Sequence, residues 1–581
     1  MRRLVAVFAV LAAFGPAAHA AAPASCPGAA SRPDRVITGE FGSEQQGSYV
    51  LLPFDVPAGT TQVRVRYCYD QPDVKPSGSP VGNTLDLGLY QPRRGKDALW
   101  GPAEFRGWGG SSHPEVQVTP QGFKSEAAYV ADPRGNEPGL TTRGFVPGPI
   151  PAGTWAAELG VASVTPQTQG DSDGKVAWRV EIDFASNPEY AAVPYAPAPY
   201  DKRPARRGAG WYAGDMHVHA EMSNLGAATM RKTFDYAFAP VTDPTHPGAG
   251  LDFMTLSDYV GTDQWYEIGR YQADYPGKLI VRSAEVITYR GHINNHGSHR
   301  FVDYRTGPVY ERGADGSLRL LRGPRPASAI FDAIHAGGGW TQINHPAIFP
   351  SAVPTFSSFC RGCPWDYTPQ ETDYRKVDAF EVATGPAGIR TDPKPGPNPF
   401  TATALKMYDD ALDTGAHIAA VASSDSHTAG DAVKDFTDVT GAPLGMGTTV
   451  VHADELSEKG IQRGVEAGHT YAKIWGNAGP DIRFEARDAT GRTLGIMGDT
   501  VSGAGVTFVA RVLHAEPWAD PTEHDPFELV LFRDRAPVLA VPITQDDQTV
   551  TLPALGAARY RLQLQRSSSI EAVSTPIWYL G

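Results

Sequence analysis

Asp215-Met216-His217-Val218-His219 is the stretch that decides how this chain is read. Residues 211–217 have the apolar run of a buried strand, and on an extended segment residues two apart point to the same side. His217 and His219 can therefore grip one metal ion from the end of a strand. An isolated His-x-His also arises on solvated strands, so the weight of the reading lies in what recurs further along.

The recurrence is regular. Asp258 ends a strand in Thr255-Leu256-Ser257-Asp258, Glu285 ends one in Arg282-Ser283-Ala284-Glu285, and Gly291-His292 follows it. His345 follows a strand in Asn344-His345-Pro346, and Asp425 and His427 follow the last in Ser423-Ser424-Asp425-Ser426-His427. Strands are expected at 211–217, 253–257, 279–286, 340–344, 379–383 and 418–424, with helices at 229–238, 327–335 and 403–414 between them. Core strand positions favour Val, Ile and Leu. Histidines and carboxylates recurring at C-terminal strand ends mark the place where barrel folds gather catalytic groups.

On either side the pattern changes. Residues 21–186 show short alternating apolar segments broken by Gly, Pro and Asp, which predicts an N-terminal β-sandwich. Residues 187–207, rich in Pro, Ala and Tyr, read as a semi-rigid linker. The α/β unit spans 208–478, and alternation returns over 479–581 as a smaller β-sandwich. Arg2 and Arg3, an apolar run over 4–14 and Ala18-His19-Ala20 form a leader over 1–20, so an exported chain, periplasmic or extracellular, is expected. No later stretch has the apolar length of a membrane span.

The 581 residues carry a formal charge of -13, which argues against nucleic acid or an anionic membrane as the main partner. A phosphate-bearing small molecule stays open, because bound cations would supply the positive charge locally. Four cysteines in an oxidising compartment suggest two pairs, Cys26 with Cys68 and Cys360 with Cys363. The second pair, a Cys-x-x-Cys, is also half a zinc site or a redox couple by spacing. With no second such motif, and Pro364 and Trp365 following it, a loop staple is the reading preferred.

Mixed imidazole and carboxylate donors suit Zn, Mn or Fe, and a carboxylate can bridge two ions. Such a pair activates water for hydrolysis. No Gly-rich phosphate loop, dinucleotide fingerprint or Gly-x-Ser-x-Gly elbow competes.

In their order, these motifs resemble the polymerase and histidinol phosphatase (PHP) superfamily over residues 208–473, including Glu466-Ala467-Gly468-His469-Thr470-Tyr471. With flanking β-domains, a leader and Thr575-Pro576-Ile577-Trp578, the chain is most similar to the exported CehA/McbA-type metallohydrolase branch. The resemblance implies a distorted (β/α)7 barrel. His217, His219, Glu285 and Asp425 would hold one metal, and Glu285 would bridge to a second on His292 and His345. Relatives often build a third site. Here Asn224 and Tyr259 stand at two of its three ligand positions, so two divalent ions are expected, with the third position empty or weakly filled. His427, with Tyr259, is then expected to protonate the leaving group or to hydrogen-bond the anionic transition state, or else to remain a metal ligand in an altered shell. Asp258 is counted with these two as catalytic.

Phosphoester hydrolysis is the activity expected of the superfamily, with carbamates or carboxylic esters the alternative and a small-molecule ester the partner. From a different class, Trp100, Phe105, Trp108 and Trp155 could make a carbohydrate-binding platform, although core packing is the preferred reading of those rings. Glu381 is expected to orient a ligand histidine. His296 and His299 could line the pocket near His292, with solvent-facing loop positions the preferred reading, and a helix C-terminus is expected for His335; His246 and His417 have no motif around them. The aromatics Phe349, Phe356, Phe359, Trp365 and Tyr367 are expected to wall the pocket.

Overall fold

The computed structural model describes residues 22–28, 32–70, 82–95, 99–165, 173–223, 226–241, 248–349, 362–384, 399–430, 443–515, 527–566 and 569–581. The leader, Asn224, His246, Phe356, Phe359 and Cys360 lie outside these residues.

A curled sheet makes the centre of a mixed α/β fold. Arg206–Val218 pairs in parallel with Phe253–Leu256, and that strand with Leu279–Thr288. All ten residues of Leu279–Thr288 are buried, as in a strand covered on both faces. Here the expected alternation of strand and helix breaks. Tyr289 and Arg290 make a two-residue turn, Gly291–His296 returns antiparallel, and Trp340–Ile343 is antiparallel to it in turn. Parallel order resumes with Ala379–Thr384 and Ala419–Ser423. His292 thus stands near the start of a reversed strand that was not expected from the sequence.

Helices fall where the periodicity placed them, at Met230–Phe238, Ser328–Ala336 and Pro399–Leu412. The first is started by Thr229, whose Oγ1 accepts the N–H of Lys232, and it buries Met230, Phe234, Ala237 and Phe238. Between Phe253–Leu256 and Leu279–Thr288 three 3-10 turns stand in place of a helix. Past the last parallel strand the chain comes back to the first: Asp425 N–H donates to His217 O and His219 N–H to Ser426 O, both at 2.8 Å.

The N-terminal sandwich sets two four-stranded layers over a core of Val50, Leu52, Val63, Val65, Leu87, Trp155 and Val180. The Cys26–Cys68 disulfide joins its first segment to that core. One of these layers also takes in the hairpin of Val309–Arg312 and Leu318–Arg322, which adds beside Tyr49–Val56. That hairpin was expected within the central unit. It is anchored by the buried Arg305, which pairs with Asp303 and reaches Glu158 of the sandwich. The C-terminal region is also two-layered, but one layer continues the central sheet through Thr448–Leu456, Thr470–Lys473 and Ser569–Ser574. The linker lies along the centre, with Tyr195 Oη donating to Glu267 and Tyr200 Oη to Ile280 O. No helix among the described residues is long and apolar enough to cross a membrane.

Candidate metal centre

His217 and His219, at the end of Arg206–Val218, are fully buried. Each ring is held through Nδ1. Glu381 Oε1 lies 3.0 Å from His217 Nδ1, and Ser223 Oγ lies 2.8 Å from His219 Nδ1 and donates in turn to Asp258 Oδ1 at 2.7 Å. A carboxylate only accepts, and the Ser223 hydroxyl proton is engaged by Asp258, so both Nδ1 atoms carry their protons and both Nε2 atoms are turned to the centre. Burial opposes charge on His217, but Asp425 and Glu285 outweigh it and raise His217 well above its ordinary value, whereas His219 stays neutral with a lone pair on Nε2. Neither Nε2 has a hydrogen-bond partner. Yet from His217 Nε2 the oxygens of Glu285 and Asp425 lie 3.3 Å away, and from His219 Nε2 they lie 3.4 and 3.1 Å away. The His219 lone pair and two carboxylates this close in a buried site repel one another unless a cation sits among them, whether a metal ion or the protonated His217 that a metal would displace. One donor atom from each of His217, His219, Glu285 and Asp425 lies within 4.8 Å of the others.

Glu285 faces both ways. Its Oε1 also lies 3.2 Å from His292 Nδ1 and 3.2 Å from His345 Nε2, and it accepts from Asn344 Nδ2 at 3.0 Å. His292 and His345 form a second donor group, with Cys363 Sγ beside them. The six residues expected to hold metal are therefore brought together around one carboxylate, an arrangement that fits two divalent ions sharing it. His345 (φ 27°) and Asp425 (φ 55°) hold left-handed backbone conformations, which cost a non-glycine residue on the order of 1–3 kcal/mol and gather at functional sites. Glu381 Oε2 accepts the N–H of His345, so one carboxylate fixes a ligand from each group.

Burial sets the charge states. It pushes Asp215 up to about 7, where its carboxylate gathers the N–H groups of His217, Ser424 and Gly445 and so ties the first strand to the last. Asp258 is likewise raised to about 7, and His219 is held below its ordinary value, as a ligand histidine needs. Glu285 is lowered well below the usual carboxylate range: burial opposes its charge, and the histidines around it, His217 and His292 first, outweigh that.

His427 stacks on His219 with ring centroids 4.1 Å apart and joins neither donor group. Its Nδ1 lies 3.1 Å from Asp425 O and its Nε2 2.7 Å from Tyr259 Oη. The carbonyl accepts, so Nδ1 donates and Nε2 accepts from the phenol. Burial takes His427 down to about 3 and raises Tyr259 well above its ordinary value, so the proton of the pair stays on Tyr259. Trp108 of the N-terminal sandwich stands edge-on to Tyr259 at 6.1 Å. Asp258, expected among the catalytic groups, lies behind His219 and acts on it through Ser223.

The remaining expectations divide. Glu381 orients its histidine as read, whereas His296 is fully buried on its strand, stacked on Trp340 and 3.3 Å from Gln342 Oε1, because the hairpin turns it inward. His299 is exposed, His335 ends its helix and meets Asp378 at 2.8 Å, and His417 stacks on Trp578. Trp365 and Tyr367 are buried, with Trp365 against the backbone of Gly291, so they support the turn before His292. Trp100, Phe105, Trp108 and Trp155 are all buried and form no exposed platform. Ser223, Gln342 and Asn344 were not singled out. Asn344 had a signal, its place beside His345, and the other two had none.

No family model matches the chain, and no curated protein does. Among solved structures it is similar to a two-domain protein from Bacteroides vulgatus containing a predicted PHP-like metal-dependent phosphoesterase. The two are 14% identical with a TM-score of 0.32, over 66% of this chain and 99% of that one. A likeness of that size carries no functional weight, and the donor set has to speak for itself.

Proposed function

We propose that this chain is an exported metal-dependent hydrolase of PHP type, near the CehA/McbA-type branch, that cleaves phosphoester bonds in a small molecule. The observation that carries the reading is the pair of buried, unpartnered Nε2 atoms of His217 and His219 facing Glu285 and Asp425. The barrel implied is a (β/α)7 variant in which Gly291–His296 takes a reversed position. Zn, Mn or Fe suits the donors. When bound, such ions lower the pKa of water and clamp the oxygens of the reacting centre.

The protein's own groups hold that arrangement ready. Glu381 and the Ser223–Asp258 pair keep the protons of His217 and His219 on Nδ1, and Asn344 steadies Glu285. Tyr259 and His427 act as one proton-holding unit, so leaving-group protonation runs through the pair and not from His427 alone. A carbamate or carboxylic ester is the second reading, favoured by the aromatic wall of Tyr259 and Trp108 next to His219, which suits an aryl leaving group.

The test is metal content together with hydrolysis of an aryl phosphate, an aryl carboxylic ester and an aryl carbamate, for the mature protein and His217→Ala. About two ions per chain, and a loss on the order of 10³-fold or more in the variant, is the expected result. Preference among the three substrates selects the bond. A chain that takes up no Zn, Mn or Fe and hydrolyses none of them overturns the reading.

A further inference from the structure

Cys363 is buried, and its Sγ lies within 4.8 Å of one ring nitrogen each of His292 and His345, which lie equally close to each other. The backbone puts it there. Gly362 adopts φ +81°, and a Cβ on it would stand 2.1 Å from Thr288 O and 2.9 Å from Tyr289 Cα, so only glycine lets this segment lie against the turn leading to His292. On the other side Cys363 O lies 3.1 Å from His345 Nδ1, and Trp365 N–H donates to Pro346 O. One short segment is thus fastened to the supports of both histidines, with its sulfur turned to their nitrogens. That sulfur is in a disulfide.

A disulfide sulfur is a poor metal donor, whereas a thiolate is among the strongest for zinc-like ions. We propose that the Cys363 thiol, once released by reduction, becomes a third protein ligand beside His292 and His345. The redox state of this loop then sets the donor set of the second metal position, nitrogen and oxygen when oxidised, with sulfur added when reduced. The inference rests on the metal-centre reading above. Around a tetrahedral ion with bonds of about 2.0–2.3 Å, donors stand about 3.3–3.8 Å apart, a closure of about 1 Å from the observed limit. The step balances by exchange with an external dithiol. The dithiol gives two electrons and two protons to the disulfide and becomes a disulfide itself, and Cys363 then yields its thiol proton to solvent on ligation. In an oxidising compartment the disulfide keeps a soft ligand off a centre otherwise built for harder ions.

The experiment uses Co(II) as the probe on the full mature chain, oxidised and after reduction with a non-chelating phosphine. Visible d–d bands in both states, with a thiolate-to-cobalt charge-transfer band in the near ultraviolet only after reduction, are expected. Cys363→Ser should lose the charge-transfer band and keep the d–d bands. Alkylation of the reduced protein should label one thiol fewer with Co(II) than without it, a readout that does not depend on the variant folding. Cobalt bound in both states, with no charge-transfer band and no protected thiol, overturns this proposal and leaves the metal centre standing. Absence of cobalt binding in both states overturns both.

Discussion

Trp108 of the N-terminal sandwich stands against Tyr259 beside the metal centre, whereas the C-terminal sandwich reaches the central sheet at its far end, where Thr575 Oγ1 accepts the N–H of Ala420. Ala420 is the second residue of the strand whose other end leads to Asp425. The N-terminal contacts continue along the site wall. Gly144 N–H donates to Asp263, Arg143 meets Glu221 two residues after His219, and Tyr129 Oη donates to Ala227 O beside Ala228, whose N–H holds His427 O. The C-terminal region adds ion pairs from Arg559 and Arg561 to Asp409 on the helix Pro399–Leu412. Two regions of similar architecture therefore pack at opposite ends of the sheet, one beside the metal centre and the other against the far ends of its strands.

The largest effect expected across the N-terminal contact is in stability. Burial raises Asp263 to about 7, and one of its oxygens is unpartnered. An acid raised in the folded state keeps a proton that the unfolded chain releases, so stability is full below about pH 4, falls as pH rises, and levels off above about 7. Across that window Asp263 contributes a loss of up to about 4 kcal/mol. Denaturant midpoints of the metal-free protein should fall more steeply from pH 4 to 7 in the wild type than in Asp263→Asn. Parallel profiles would remove Asp263 from the coupling between sandwich and centre.

Glu381→Gln supplies the scale for a change inside the centre. It should weaken metal binding about 10–100-fold by loosening His217 and His345, as read by competition with a chelator. Trp108→Ala should lower kcat/KM for an aryl substrate by about tenfold, the scale of one lost aromatic pair, with metal content unchanged. An unchanged kcat/KM would reduce the N-terminal sandwich to a flank. Arg561→Met should lower the unfolding free energy by about 1–3 kcal/mol, read from denaturant melts, and leave kcat/KM as it was. A loss of activity there would show that the far end of the sheet is also coupled to the site.

How much of this was legible is seen at particular residues. His217, His219, Glu285, His345 and Asp425 could be picked out because a strand end is a local feature, and a charged or imidazole side chain at its end has no packing reason to be there. His292 was picked from the same motif, but the reversed strand it stands on was not, since nothing in Tyr289-Arg290-Gly291 states that the chain will reverse within two residues. His296 was misplaced for the same reason, because a reversed strand alternates inward where a loop does not. Ser223 and Gln342 were invisible, being ordinary polar residues whose role comes only from what they touch.

By itself the sequence determined the kinds of donor, their order along the chain, the helices between them and the two-layered β regions on each side. All of these follow from periodicity and side-chain chemistry over short windows. Tertiary structure decided the rest: that Glu285 stands between two donor groups, that the proton of the Tyr259–His427 pair stays on the phenol, that the hairpin Val309–Arg312 and Leu318–Arg322 joins the N-terminal sandwich, and that Cys363 lies against His292 and His345. Each of these depends on two segments far apart in the chain meeting at van der Waals distance. Local patterning does not encode such meetings, because they are fixed by how whole faces pack.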